Sequence, residues 1–152
     1  YLTEVYIFEI VLFMKPELLH HKNEIYSFLK NKLYIYEEIE FAIVHGSFLD
    51  TKNYNDIDIA LYVNDTINNY IDYELNLETK VTLLKVLPCA IDIKILNEAP
   101  LAFKYNAIKN PEILFHRDKN NYCEFREITI RDYLDFSYCI KNYLRTAHEY
   151  RL

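Results

Sequence analysis

Of 152 residues, only one is glycine, Gly46. Average usage near 7% would supply about ten. Such a chain must make its turns with Asn and Asp, the other residues that tolerate left-handed backbone. It does so at Asn53-Tyr54-Asn55-Asp56, Asn64-Asp65 and Asn120-Asn121. The position that keeps the glycine therefore marks a place where the backbone needs one.

A 51% hydrophobic and 26% charged composition excludes intrinsic disorder, and the length suits one domain. A formal net charge of −6 excludes a general nucleic-acid-coating role, which needs a basic face, so no direct nucleic-acid binding is expected. The three cysteines, Cys89, Cys123 and Cys139, contain no CxxC pair. They indicate neither a disulfide framework nor a cysteine zinc site, but reduced thiols of a cytoplasmic protein. Residues 1–13, YLTEVYIFEIVLF, are apolar but shorter than the roughly 20 residues a bilayer-spanning helix needs. They also lack a basic leader region, and we read them as an appendage ahead of Met14, the only methionine. No membrane association is expected.

The apolar spacing predicts a helix over 16–33, with Pro16 in its first turn and Leu18, Ile25, Phe28, Leu29 and Leu33 recurring. Residues 37–45 alternate as a strand, with Ile39, Phe41, Ile43 and His45 on one face. A polar loop over 48–55 follows. In the next strand Ile57, Ile59, Leu61 and Val63 point one way and Asp56, Asp58, Ala60 and Tyr62 the other. A helix over 77–87 ends at Pro88. A third strand, 90–96, carries Ile91, Ile93 and Ile95 on one face and Ala90, Asp92 and Lys94 on the opposite one. A short helix near 99–109, a brief strand near 113–115 and a tail helix near 123–148 complete the order. The tail helix should carry a stripe of Tyr133, Phe136, Ile140, Leu144 and Ala147. The expected fold is α/β (α+β): a small mixed sheet packed with helices. Its core would span 14–120, with a C-terminal helix over 121–152 packing on it.

The chemistry gathers around the glycine. Gly46-Ser47 ends the first strand, and after eight residues Asp56-Ile57-Asp58 opens the second. Carboxylates at i and i+2 of a strand share a face, with Cα atoms about 6.5–7 Å apart, and repel unless a cation lies between them. Hard oxygen donors so placed suit Mg²⁺, which takes one or two carboxylates together with substrate phosphates. Asp92 interrupts an otherwise apolar strand, where a carboxylate is costly unless paired or metal-bound. If the strands are neighbours, three carboxylates converge, enough for two metal ions. A glycine lets the backbone approach a ligand closely, and Ser47 adds a hydroxyl and an amide for a phosphate.

Other groups have plainer readings. His20 and His21 suit a helix surface, and His45 suits strand-end packing. Lys94 suits an ion pair with an aspartate or contact with a phosphate. Glu38, Glu40 and Asp50 suit solvated positions. The 15 tyrosines suit amphipathic packing rather than a stacking platform, though Tyr62 shares the Asp56/Asp58 face.

Gly46-Ser47, Asp56-x-Asp58 and Asp92 together resemble the nucleotidyltransferase superfamily that includes DNA polymerase beta, and in particular its minimal MNT domains. That family's spacer is typically longer by two residues and carries Gly and Arg where Phe48, Leu49 and Asp50 stand. The stretches Ile91-Asp92-Ile93, Leu96-Asn97-Glu98-Ala99-Pro100 and Tyr133-Leu134-Asp135-Phe136 look like further parts of MNT antitoxins. The resemblance implies ATP as substrate, with Mg²⁺ (two ions) on Asp56, Asp58 and Asp92 and the nucleotide on Gly46 and Ser47. It also implies an antitoxin that moves AMP to a tyrosine of a partner HEPN-domain toxin encoded nearby. Two alternatives stand beside it: a faded domain that neutralises a toxin by binding alone, and a small-molecule nucleotidyltransferase.

Overall fold

A computed structural model describes residues 18–50 and 55–149. The expected appendage over 1–13, Met14 and the Pro16 turn lie outside these residues. The elements are α1 (Lys22–Tyr34), β1 (Ile39–His45), α2 (Ser47–Asp50), β2 (Asp56–Val63), α3 (Tyr70–Thr82), β3 (Ala90–Ile95), α4 (Leu101–Lys109), β4 (Glu112–His116) and α5 (Lys119–Glu149). The four strands form one mixed sheet in the order β3-β2-β1-β4. β1 is antiparallel to β2 and β4, and β2 is parallel to β3.

The strand alternation sorts the core into two layers. Ile57, Ile59, Leu61 and Val63 of β2 and Ile91, Ile93 and Ile95 of β3 face Ile25, Leu29 and Leu33 of α1 and Leu77 and Val81 of α3. On the opposite face Phe41, Ile43, Ala60 and Tyr62 meet Phe103, Ala107 and Ile108 of α4 and Tyr122, Phe125 and Ile130 of α5. Burial of these side chains removes apolar surface from water at roughly 25 cal/mol per Å², the main drive for closing helices over both faces.

Several sequence expectations need correction. α1 begins at Lys22, not residue 16, because residues 18–20 are non-helical and the Leu19 N–H donates to Val86 O at 2.8 Å. His20 and His21 accordingly stand exposed just ahead of the helix. Ile39 does not share a face with Phe41, Ile43 and His45. The register steps from Ile39↔Val63 to Phe41↔Tyr62, so β1 spends one extra residue there, a β-bulge that turns Ile39 to the other layer. The polar loop expected at 48–55 starts as a helical turn, with Phe48 fully buried and edge-on to Tyr26 at 5.7 Å. α3 starts seven residues early, since Asn69 caps it by accepting the Asp72 N–H at 3.2 Å. It ends at Thr82 rather than at Pro88, and Lys85 then adopts a left-handed φ of 52°.

The stripe expected along the tail helix divides. Tyr122, Phe125 and Thr129 are covered by the core, and Tyr133 stacks on Tyr105 at 3.9 Å. Beyond them Phe136, Ile140 and Leu144 are 52%, 43% and 60% exposed.

Candidate active site

β1 ends where β2 begins, and the single glycine stands at that end. Gly46 has φ +77°, the left-handed region in which a side chain is strained. A Cβ built there would lie 2.2 Å from Asp58 Oδ2. Both the backbone conformation and the space therefore demand glycine, and the carboxylate of Asp58 occupies the room that its missing side chain leaves.

The sheet register does the rest. His45 pairs with Asp58 across β1 and β2, and Asp58 pairs with Asp92 across β2 and β3. Three titratable residues therefore stand in one row on adjacent strands, on the face covered by α4 and α5. Asp56 shares the face two residues earlier, opposite Ala90. Ser47 follows the glycine as the first residue of α2. Of the expected site residues, Asp58, Asp92 and Gly46 are thus brought together, with Asp56 and Ser47 flanking them.

The electrostatics of the row favour positive charge beside Asp58. Burial pushes the Asp58 carboxyl above the usual carboxylate range; the facing His45 opposes this, while Asp56 and Asp92 reinforce it. His45 is held below the ordinary histidine value by burial, against the pull of Asp58 and Asp92, and Phe103 of α4 sits edge-on to its ring at 5.6 Å. Lys94 is the resident cation beside the row. Its Nζ lies 3.6 Å from Asp92 Oδ1 and 3.4 Å from Glu74 Oε2. Burial would lower its pKa, but Glu74 and Asp92 outweigh that and raise it.

Among the described residues no three His, Cys, Asp or Glu side chains stand close enough to hold a metal ion unaided. That arrangement still fits Mg²⁺, which keeps several waters and draws its remaining oxygen ligands from substrate phosphates. The donor set is all hard carboxylate oxygen, and the mutual repulsion felt at Asp58 is what such an ion would relieve.

Sequence reasoning missed the row position of His45, which only the β1–β2 register reveals. It also missed Lys22. The Lys22 Nζ donates to the carbonyls of Phe48 and, at 3.1 Å, Leu49, and lies 5.0 Å from the Phe48 ring centroid, tying α2 to α1. No spacing rule in the sequence signals a lysine 26 residues from its acceptor.

A mixed sheet β3-β2-β1-β4 with helices on both faces and carboxylates beside a glycine turn defines the nucleotidyltransferase fold. The model of the Polymerase beta nucleotidyltransferase family matches residues 23–120, and the chain belongs to that family. No curated protein matches the sequence significantly. Among solved structures, the chain is similar to one in the toxin–antitoxin MntA–HepT (TM-score 0.64, 16% identity, 83% of this chain and 98% of that one). It is similar to a toxin–antitoxin chain solved with AMP-PNP (0.62, 18%, 78% and 97%). A third similar chain comes from the tri-AMPylated HEPN toxin of Shewanella oneidensis in complex with its MNT antitoxin (0.59, 17%, 80% and 98%).

Proposed function

We propose that the protein is an MNT-type antitoxin that transfers AMP from ATP to a tyrosine hydroxyl of a partner HEPN toxin. The observation that carries this reading is the register row Asp58–Asp92 set against the glycine turn, with Asp56 on the same face. In this reading Gly46 lets the Asp58 carboxylate lie against the backbone at the strand end, and Ser47 turns its hydroxyl and amide to the terminal phosphates. Asp56, Asp58 and Asp92 would hold Mg²⁺, which when bound offsets phosphate charge and lowers the pKa of the attacking hydroxyl. The toxin's hydroxyl oxygen attacks the α-phosphorus of ATP, the bond to the β-phosphate oxygen breaks, and pyrophosphate leaves with that electron pair. The hydroxyl proton passes to a carboxylate oxygen of Asp92, which stands on a different strand from the Asp56/Asp58 pair.

The acceptor is read as protein because a similar chain comes from a complex with a tri-AMPylated HEPN toxin, and an arriving chain would exclude water from the site. The bare apolar run Phe136, Ile140 and Leu144 on α5 favours a second reading, neutralisation by contact without transfer. Incubation with α-labelled ATP, Mg²⁺ and the HEPN toxin encoded beside it separates the two. Label on a toxin tyrosine is the expected result. A complex that forms and stays unlabelled overturns the enzyme reading in favour of contact.

A further inference from the structure

β3 carries Asp92 yet is an outer strand, laddered to β2 on one side only. An open edge presents unpaired amides and is the least constrained part of a sheet. Here the edge is closed by side chains. In β3 and just past it, alternate N–H groups point inward, as at Leu96, which donates to Leu61 O at 2.7 Å. The outward amides of Ile93 and Ile95 donate instead to Glu78 Oε1 and Glu74 Oε1, each at 2.7 Å.

The match of spacings explains how one helix serves both. Residues four apart on a helix rise about 6.0 Å, and residues two apart on a strand span about 6.6 Å. Glu74 and Glu78 flank Leu77 and Val81, which bury α3 against the apolar face of β3, so the two carboxylates emerge at the rim of that contact. The lower-numbered glutamate meets the higher-numbered amide, so α3 runs opposite to β3. Glu74 also faces Lys94, and Lys94 in turn faces Asp92.

We infer that Glu74 and Glu78 are positioning residues for Asp92, acting in place of a missing neighbour strand to hold β3 in register so that Asp92 stays opposite Asp58. The role in AMP transfer rests on the function proposed above; the latch itself does not. It requires an acceptor oxygen at each position, not a charge. Glu78→Gln keeps that oxygen and Glu78→Leu deletes it.

The test compares these two variants in the full chain. Glu78→Leu should speed hydrogen exchange of the Ile93 amide by about tenfold or more and weaken the cross-strand nuclear Overhauser contacts between Asp58 and Asp92. Toward the HEPN toxin, its kcat for AMP transfer should fall by about tenfold or more while KM for ATP moves less than about threefold. Glu78→Gln should recover most of the exchange protection and of the kcat. An unchanged Ile93 exchange rate in Glu78→Leu overturns the latch. Faster exchange with kcat unaltered overturns the positioning role, and a Glu78→Gln as impaired as Glu78→Leu shows that charge, not the acceptor, matters. If the unsubstituted protein transfers no AMP, the proposed function fails, and the exchange and cross-strand measurements still decide the latch.

Discussion

Asp58 is the residue at which folding and function pull apart. Its carboxyl is raised by burial, and by Asp56 and Asp92, against the pull of His45. Between the ordinary value of 3.8 and that raised native value, the native state binds more proton than the unfolded chain. Stability from this group therefore falls as pH climbs through the window and stays low above it. Asp58→Asn removes the penalty. Without added metal it should melt at or above the parent's temperature at neutral pH, the advantage vanishing below about pH 3.8; thermal melts across pH read this. Strong destabilisation at neutral pH would mean that the carboxylate is structural. Gly46→Ala should act in the opposite sense. The left-handed φ of 77° costs a side chain roughly 1–2 kcal/mol, and the new Cβ must also displace Asp58 Oδ2. A lowered melting temperature together with lost ATP binding by calorimetry is the expected pair of results.

At the scale of elements, what could be read from the sequence depended on how many faces an element buries. β2 and β3 each turn one apolar row toward α1 and α3, so their alternation was plain, and with it the shared face of Asp56, Asp58 and Asp92. β1 is central and buried on both faces. Past Glu40 its run Phe41-Ala42-Ile43-Val44 is apolar throughout, so the alternation read over 37–45 could not show that the bulge between Ile39 and Phe41 turns Ile39 to the other layer. The first half of α3 was hidden because Asp72, Tyr73 and Glu74 look like loop. The Asn69 cap was the local signal for it, and Glu74 is polar there because it closes the β3 edge. Phe48 is the counterpart in the spacer, an aromatic in a stretch that otherwise reads as solvated. Its burial against α1 gives the turn after Gly46 its anchor. Phe48→Ala should cost about 3–5 kcal/mol, as for other buried aromatics. Urea denaturation should show the loss, and an effect under about 1 kcal/mol would place the ring outside the core.

For the molecule as a whole, Gly46, Ser47, Asp56, Asp58 and Asp92 were visible as a pattern in the chain, whereas the order in which strands lie side by side was not. That order decides which carboxylates can cooperate. Asp56 and Asp58 come from one strand beside the glycine turn, and Asp92 reaches the row only because β3 lies parallel to β2 in matched register. The division suggests a division of work. The β2 pair, next to Gly46 and Ser47, would serve the metal-bound triphosphate, and Asp92 would serve the incoming hydroxyl. Asp58→Asn should therefore weaken Mg-ATP binding and abolish transfer to the toxin. Asp92→Asn should bind Mg-ATP within about threefold of the parent and still lose transfer by about a hundredfold or more, the range expected when a group acting mainly in the transition state is removed. Calorimetry with ATP, with and without EDTA, reads the first quantity, and labelled transfer to the HEPN toxin reads the second. Binding lost equally in both variants would mean that the three carboxylates hold the nucleotide as one unit. Transfer retained in Asp92→Asn would move the proton-accepting role to another group in the row, with His45, opposite Asp58, the next to substitute.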